Sequence, residues 1–422
     1  MRSFKHHTLC PTPPMGWNSW DCYGAAVTED VVRKNAEYMA KNLKEYGWEY
    51  IVVDIEWFEP NAKSHTYNDY THLIFDEFSR LMPAENRFPS AKGGKGFAPL
   101  SEYVHSLGLK FGIHILRGIP RECAKKNTAI LGTDKRALDI ALVSSTCPWN
   151  TDMYGVDPTK EGAQEYYDSL FALYASWGVD FVKVDDIARP YHKGEVELIR
   201  NAIDKCGRDM VLSLSPGAAA LSEAEHLGKH ANMWRMTDDF WDTWKQLFDM
   251  FERCRNWQNL RTVGSWPDCD MLPLGKVCIC DDGGRPTRFT KDEQMTHMAL
   301  WCIFRSPLFF GGDMTFNDEW TDSLMKNKDL VDLLNNSTDN RELYRDEKGA
   351  VVWYAKSTSD NSFYIAQFNT SDVDRVISTP LSLFDLESAC AKELFSKDEF
   401  KFTEHIYSLV PFHGVKIYKI TK

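Results

Sequence analysis

The chain has 422 residues, 43% of them apolar, enough to bury a barrel-sized core with a smaller unit beside it. Its formal net charge of −12 argues against nucleic acid and anionic membrane as principal partners, because either needs a basic face. Eleven cysteines without paired CxxC spacing, no apolar stretch after "MRSFKHH" and no run of about 18 apolar residues lead us to expect a soluble cytoplasmic protein with reduced thiols.

Taken in chain order, short β-rich runs alternate with amphipathic helical stretches: "PMGWNSW", "YIVVDIEW", "KFGIHIL", "DFVKVDD", "MVLSLSP", "MWRMTDD", "RTVGSWPDCDM" and "PLFFGGD". The segments between them carry apolar residues at spacing 3.6, as in 28–46, opened by Thr28 with Glu29 and Asp30 in the first turn, and 160–177, closed by Gly178. Eight βα units predict an α/β fold, a (β/α)8 TIM barrel over residues 1–328. No Gly-rich phosphate loop follows the first strand, which disfavours a doubly wound sheet. From about residue 329 to 422 the pattern becomes period-two, as in "AVVWYAKSTSDNSFYIAQFN", and predicts a C-terminal antiparallel β-sandwich, with "NNSTDN" (335–340) as the linker.

Alternate residues of a barrel strand face the axis, and catalytic groups gather at the strands' C-terminal ends. Parity then places Lys183 with Asp185, Arg235 with Asp239, Ser213 with Ser215, and Asp54 with Glu56, leaving Ile55, Asp186 and Asp238 on the other face; His114 comes from the third strand. One reading of such groups is an internal ion pair, for example Lys183 with Asp185. The polar residues converge from five strands, however, and the chain is rich in tryptophan, 14 in all, whose flat faces suit sugar rings.

Two inward carboxylates beside Lys183 and Arg235 form the inventory of a glycosidase: one acid attacks or activates water, the other protonates the leaving oxygen, and Lys183, Arg235 and Asp54 hold hydroxyls. A metal-dependent barrel lyase or isomerase, with Asp185, Asp239 and Asp270 on Mg²⁺, is a rival that the nearby cations disfavour. A non-catalytic sugar-binding barrel is a third reading. Cys278 and Cys280, one residue apart, have a poor spacing for a disulfide or a metal.

The motifs "PPMGWNSWDCYG", "YIVVDIEW", "GLKFGIHI", "WGVDFVKVDD", "WRMTDDFWD", "WPDCDML" and "MALWCIFRSPLFFGGD", in this order over nearly the whole chain, resemble glycoside hydrolase family 27, the α-galactosidase and α-N-acetylgalactosaminidase group. The resemblance implies a retaining exo-glycosidase without a cofactor, with Asp185 as nucleophile and Asp239 as acid/base. It implies Trp20, Asp54, Lys183, Arg235, Asp270 and Met271 as sugar-binding residues. Cys147 matches one half of a disulfide common in the family, but Ile187 stands at the partner position, so no bond is expected.

Three departures concern the substrate. Family galactosidases carry Asp-Asp-Cys-Trp where this chain has Asp54, Ile55, Glu56 and Trp57, so an apolar side chain stands where the 6-hydroxymethyl group expects a hydrogen bond. Leu214, Ser215 and Pro216 replace the usual Cys-Glu-Trp, and Ser215 resembles the small residue of members that accept a 2-acetamido group. His114 replaces a tyrosine and is expected to touch sugar. The glycone is therefore expected to be α-D-galactose or one of two analogues, β-L-arabinopyranose, which lacks carbon 6, or α-N-acetylgalactosamine.

Overall fold

The computed structural model describes residues 4–215 and 217–421; of the sequence expectations, the part resting on Pro216 lies outside them. Eight short strands form the barrel: β1 (Met15–Asn18), β2 (Tyr50–Val53), β3 (Lys110–Leu116), β4 (Phe181–Asp185), β5 (Val211–Leu214), β6 (Met233–Arg235), β7 (Trp266–Asp268) and β8 (Leu308–Phe310). All neighbours are parallel, in the order β7-β6-β5-β4-β3-β2-β1-β8. A bridge between Leu272 and Phe310 closes the ring just beyond β7. The eight runs expected from the sequence are these strands.

Each strand is buried on both faces for different reasons. Outward side chains such as Ile51, Val53, Val182, Val184, Leu212 and Trp234 pack into the core shared with the helices. Inward ones, including Tyr50, Phe181, Met233, Trp266 and Phe309, form a separate plug in the barrel floor. Gly16 makes room for that plug: a Cβ there would come within 2.6 Å of the Tyr50 carbonyl oxygen and 2.9 Å of the Phe309 ring. The helix expected over 28–46 runs Glu29–Asn42 and continues as a 3-10 turn, and that over 160–177 runs Ala163–Ser176, with Gly178 at φ +79° just beyond.

Two excursions were not foreseen. Between β2 and its helix the chain wanders over residues 54–97, and after β3 a three-stranded antiparallel flap (Ile119–Pro120, Ala141–Thr146, Met153–Val156) rises over the mouth.

The C-terminal strands β9 (Ser337–Arg345), β10 (Ala350–Ser357), β11 (Phe363–Asn369), β12 (Arg375–Pro380), β13 (Ser388–Glu393), β14 (Glu399–Thr403), β15 (His405–Val410) and β16 (Val415–Thr421) form an antiparallel sandwich in the order β9-β10-β11-β16-β13-β14-β15-β12. The expected boundary at 329 falls inside helix Lys328–Asn335, and the expected linker is corrected: Ser337 and Asn340 belong to β9 and are buried, Asn340 donating to the Ile303 carbonyl. The sandwich covers the outer face of helix Lys291–Phe304. Val351, Trp353, Phe368, Val415 and Ile417 join the same core as that helix, and Thr296 donates to the His413 carbonyl. No helix among the described residues is long and apolar enough to cross a membrane.

Candidate active site

A pocket of about 330 Å³ opens at the C-terminal ends of the barrel strands, at the low end of ligand-site sizes and suited to one sugar ring. Nine residues singled out from the sequence line it: Trp20, Asp54, Ile55, Lys183, Asp185, Arg235, Asp239, Asp270 and Met271.

Within strands, parity works. Lys183 and Asp185 point inward above Phe181, and Arg235 above Met233. Lys183, however, pairs with Asp54 rather than Asp185: Nζ lies 2.8 Å from Asp54 Oδ2, which also accepts from Asn18 Nδ2 at 2.7 Å. Burial works against the Asp54 charge, but Lys183, His114 and Asn18 outweigh it and hold the carboxyl at about 2. Asp185 is held from two sides, by the Asp186 backbone N–H at 2.6 Å and by His114 Nε2 at 2.9 Å. Arg235 holds Asp270 at 2.7 Å and Asp239 at 3.1 Å. The Asp239 side chain is half exposed, so the pocket puts one sequestered carboxylate opposite one in contact with solvent.

Beyond the strand ends parity fails. β2 stops at Val53 and residues 55–58 turn, so Ile55 faces the pocket beside Asp54 while Glu56 is buried away from it, receiving Asn150 Nδ2 at 2.8 Å. Glu56 and Asp152 form a buried carboxyl pair: burial first, then their mutual proximity, pushes Glu56 far above the usual carboxylate range. Asp238, expected to face away, reaches the rim and pairs with Arg189. Asp186 is buried against Arg117 at 3.0 Å.

Two expected sugar contacts are covered by their neighbours. His114 is fully buried behind Asp185, where its ring can orient the carboxylate but presents no surface to a ligand. Ser215 is 1% exposed and is not in the pocket wall; its hydroxyl has no protein partner. Conversely, the sequence reading missed Asp21, Tyr67, Trp149 and Arg189. Trp20 stacks on Tyr67 with centroids 5.9 Å apart, and Tyr67 meets Trp149 at 5.5 Å, making an aromatic wall from the short helix Trp20–Tyr23 and two separate loops. Asp21 is buried, one carboxyl oxygen without a protein partner, and burial followed by Asp270 and Asp239 raises its pKa well above the ordinary value. Burial and Asp270 likewise push Asp268 to about 7.

The metal-dependent rival gains nothing from this arrangement. Of the acids proposed for Mg²⁺, Asp239 and Asp270 are bound to the Arg235 guanidinium, which occupies the place a divalent ion would need. All eleven cysteines are free, Cys147 among them.

A TIM barrel with paired carboxylates, ion-paired lysine and arginine side chains and an aromatic wall at its C-terminal mouth defines a barrel glycoside hydrolase. The family model described as Alpha galactosidase A matches residues 12–159 and 150–336, and the chain belongs to that family, glycoside hydrolase family 27; it is a hydrolase of the α-galactosidase type. A GH27 β-L-arabinopyranosidase from Geobacillus stearothermophilus is 55% identical, with TM-score 0.97 over 100% of this chain and 99% of its own. A candidate α-N-acetylgalactosaminidase from Bacillus halodurans is 50% identical, with TM-score 0.88 over 97% of each chain. Alpha-galactosidase 2 of Arabidopsis thaliana is 24% identical over 100% of this chain and 92% of its own.

Proposed function

We propose that the protein is a retaining, exo-acting glycosidase whose preferred glycone is β-L-arabinopyranose, with α-D-galactosides as weaker substrates. The observation that carries this reading is Ile55 in the pocket wall beside Asp54. The two sugars present the same ring hydroxyls, and galactose adds a hydroxymethyl group at carbon 5. Asp54, fixed by Lys183 and Asn18, is poised to accept from a ring hydroxyl, whereas Ile55 leaves the 6-hydroxyl without a partner at a cost of about 1–3 kcal/mol. The 55% identical protein is described as an arabinopyranosidase, and a variant of it was solved in complex with arabinose. Ser215, buried outside the pocket wall, gives no matching support to a 2-acetamido substrate.

In the mechanism, Asp185 attacks the anomeric carbon while Asp239 protonates the departing glycosidic oxygen, giving a covalent glycosyl-enzyme. Asp239 then takes a proton from water, which attacks the same carbon and releases Asp185. His114 and the Asp186 N–H hold the nucleophile's two oxygens in place. Free thiols throughout fit a reducing compartment. Turnover of nitrophenyl β-L-arabinopyranoside, α-D-galactopyranoside and α-N-acetylgalactosaminide decides the glycone: kcat/KM is expected to be highest for the pentose, and a clear preference for galactoside overturns the reading. NMR of the first-formed sugar is expected to show retained configuration.

A further inference from the structure

Behind the aromatic wall, His65 meets the turn 278–281. Its Nε2 lies 2.8 Å from the Trp20 carbonyl oxygen. A carbonyl only accepts, so the proton sits on Nε2, and in the neutral ring Nδ1 carries a lone pair. That lone pair faces two further electron-pair donors, Asp281 Oδ2 at 2.6 Å and Cys280 Sγ at 3.3 Å, and the sulfur is 3.8 Å from Asp281 Oδ1. Without a metal, a proton on Nδ1 serves Asp281 Oδ2 and the thiol's own S–H points to Asp281 Oδ1. One divalent cation can replace both protons and take all three groups as ligands.

We infer that His65, Cys280 and Asp281 form a binding site for a zinc-class divalent cation, with imidazole nitrogen, thiolate sulfur and carboxylate oxygen as ligands. One ligand atom from each lies within 4.8 Å of the others. Tetrahedral zinc with its usual bond lengths separates nitrogen and sulfur ligands by about 3.5 Å, close to the 3.3 Å observed, and nitrogen and oxygen ligands by about 3.4 Å. The half-exposed Asp281 side chain, now 2.6 Å from Nδ1, therefore swings outward by about 1 Å on binding. The Trp20 carbonyl supplies the outer hydrogen bond that fixes a ligating imidazole. The Asp281 side chain is 43% exposed, which leaves a path for entry and a place for water as a fourth ligand. On binding, the Cys280 thiol gives its proton to solvent.

The cation's role follows from what it joins. Backbone N–H groups of Cys278 and Ile279 donate to the carbonyls of Asp21 and Cys22 at 2.7 and 2.6 Å, so the turn is already docked on the segment that carries Trp20. Holding His65 to that turn braces the loop bearing Tyr67. The cation is a structural brace and takes no part in bond cleavage. The spacing of Cys278 and Cys280 concealed the site, because the nitrogen comes from residue 65.

Cobalt(II) added to the chelator-treated chain is the test. One equivalent is expected to bind with a thiolate-to-metal charge-transfer band in the near ultraviolet. Cys280→Ser removes the band and weakens binding about tenfold or more. His226→Ala, in a second His and Glu cluster with Glu197 and His230, leaves both unchanged. In the unmutated chain, zinc is expected to slow alkylation of Cys280, read by peptide fragmentation, and to leave exposed Cys390 unaffected. Absence of the band at one equivalent, its survival in Cys280→Ser, its loss in His226→Ala, or unprotected Cys280 overturns the site.

Discussion

Lys183 Nζ lies 2.8 Å from Asp54 Oδ2, joining the ends of β4 and β2 across β3. Asp54 is buried and Lys183 partly so, and each depends on the other. Lys183→Met strands the Asp54 charge and is expected to lower stability by about 3–5 kcal/mol in denaturant titration. The carboxyl, at about 2 against an ordinary 3.8, contributes stability that is complete above 3.8 and lost as pH falls through 2. Asp54→Asn is expected to remove that part of the acid decline in calorimetric scans from pH 5 to 2.

Ile55 gives a specificity prediction. Ile55→Asp restores an acceptor beside Asp54, and the ratio of kcat/KM for galactoside over arabinopyranoside is expected to rise about 10- to 100-fold. If the nitrophenyl panel moves equally on all three sugars, Ile55 does not select the glycone.

His114 acts through Asp185 rather than on substrate, which sets it apart from the pocket residues. His114→Leu is expected to cut kcat about 10- to 100-fold with little change in KM. In His114→Gln, an amide N–H can replace the imidazole donor, and partial recovery of kcat is expected. A rise in KM alone points instead to sugar contact.

The Glu56 and Asp152 pair predicts a trend at the other end of the pH scale. Because the folded state keeps a proton that the unfolded chain releases near the ordinary 4.5 of glutamate, stability is complete below that value and falls as pH rises towards the folded pKa. Glu56→Gln carries its hydrogens at every pH and can still accept from Asn150. Its melting temperature is expected to decline less between pH 6 and 9 than that of the unmodified chain.

How much of this was legible depended on regular backbone. The eight strands could be read because both faces of a barrel strand are apolar low down and polar only near the inner end, as in Phe181, Lys183 and Asp185. The same alternation misplaced Ile55 and Asp238, since β2 ends at Val53 and β6 at Arg235, and the period of two lapses with the strand. Tyr67 and Trp149 sit on loops with no periodicity to expose them. His114 pairs with Lys183, and Ser215 follows Leu214, which pairs with Val184, so both stand level with pocket-lining residues yet are covered by their neighbours, and such cover leaves no trace in alternation.

Helix Lys291–Phe304 is buried almost all round, with sandwich residues such as Trp353 and Phe368 in the same core. A chain cut before β9 would bare that flank to water, and exposed apolar surface of this kind drives aggregation. Barrel and sandwich are thus one cooperative folding unit, and calorimetry should record a single heat-absorption peak instead of two.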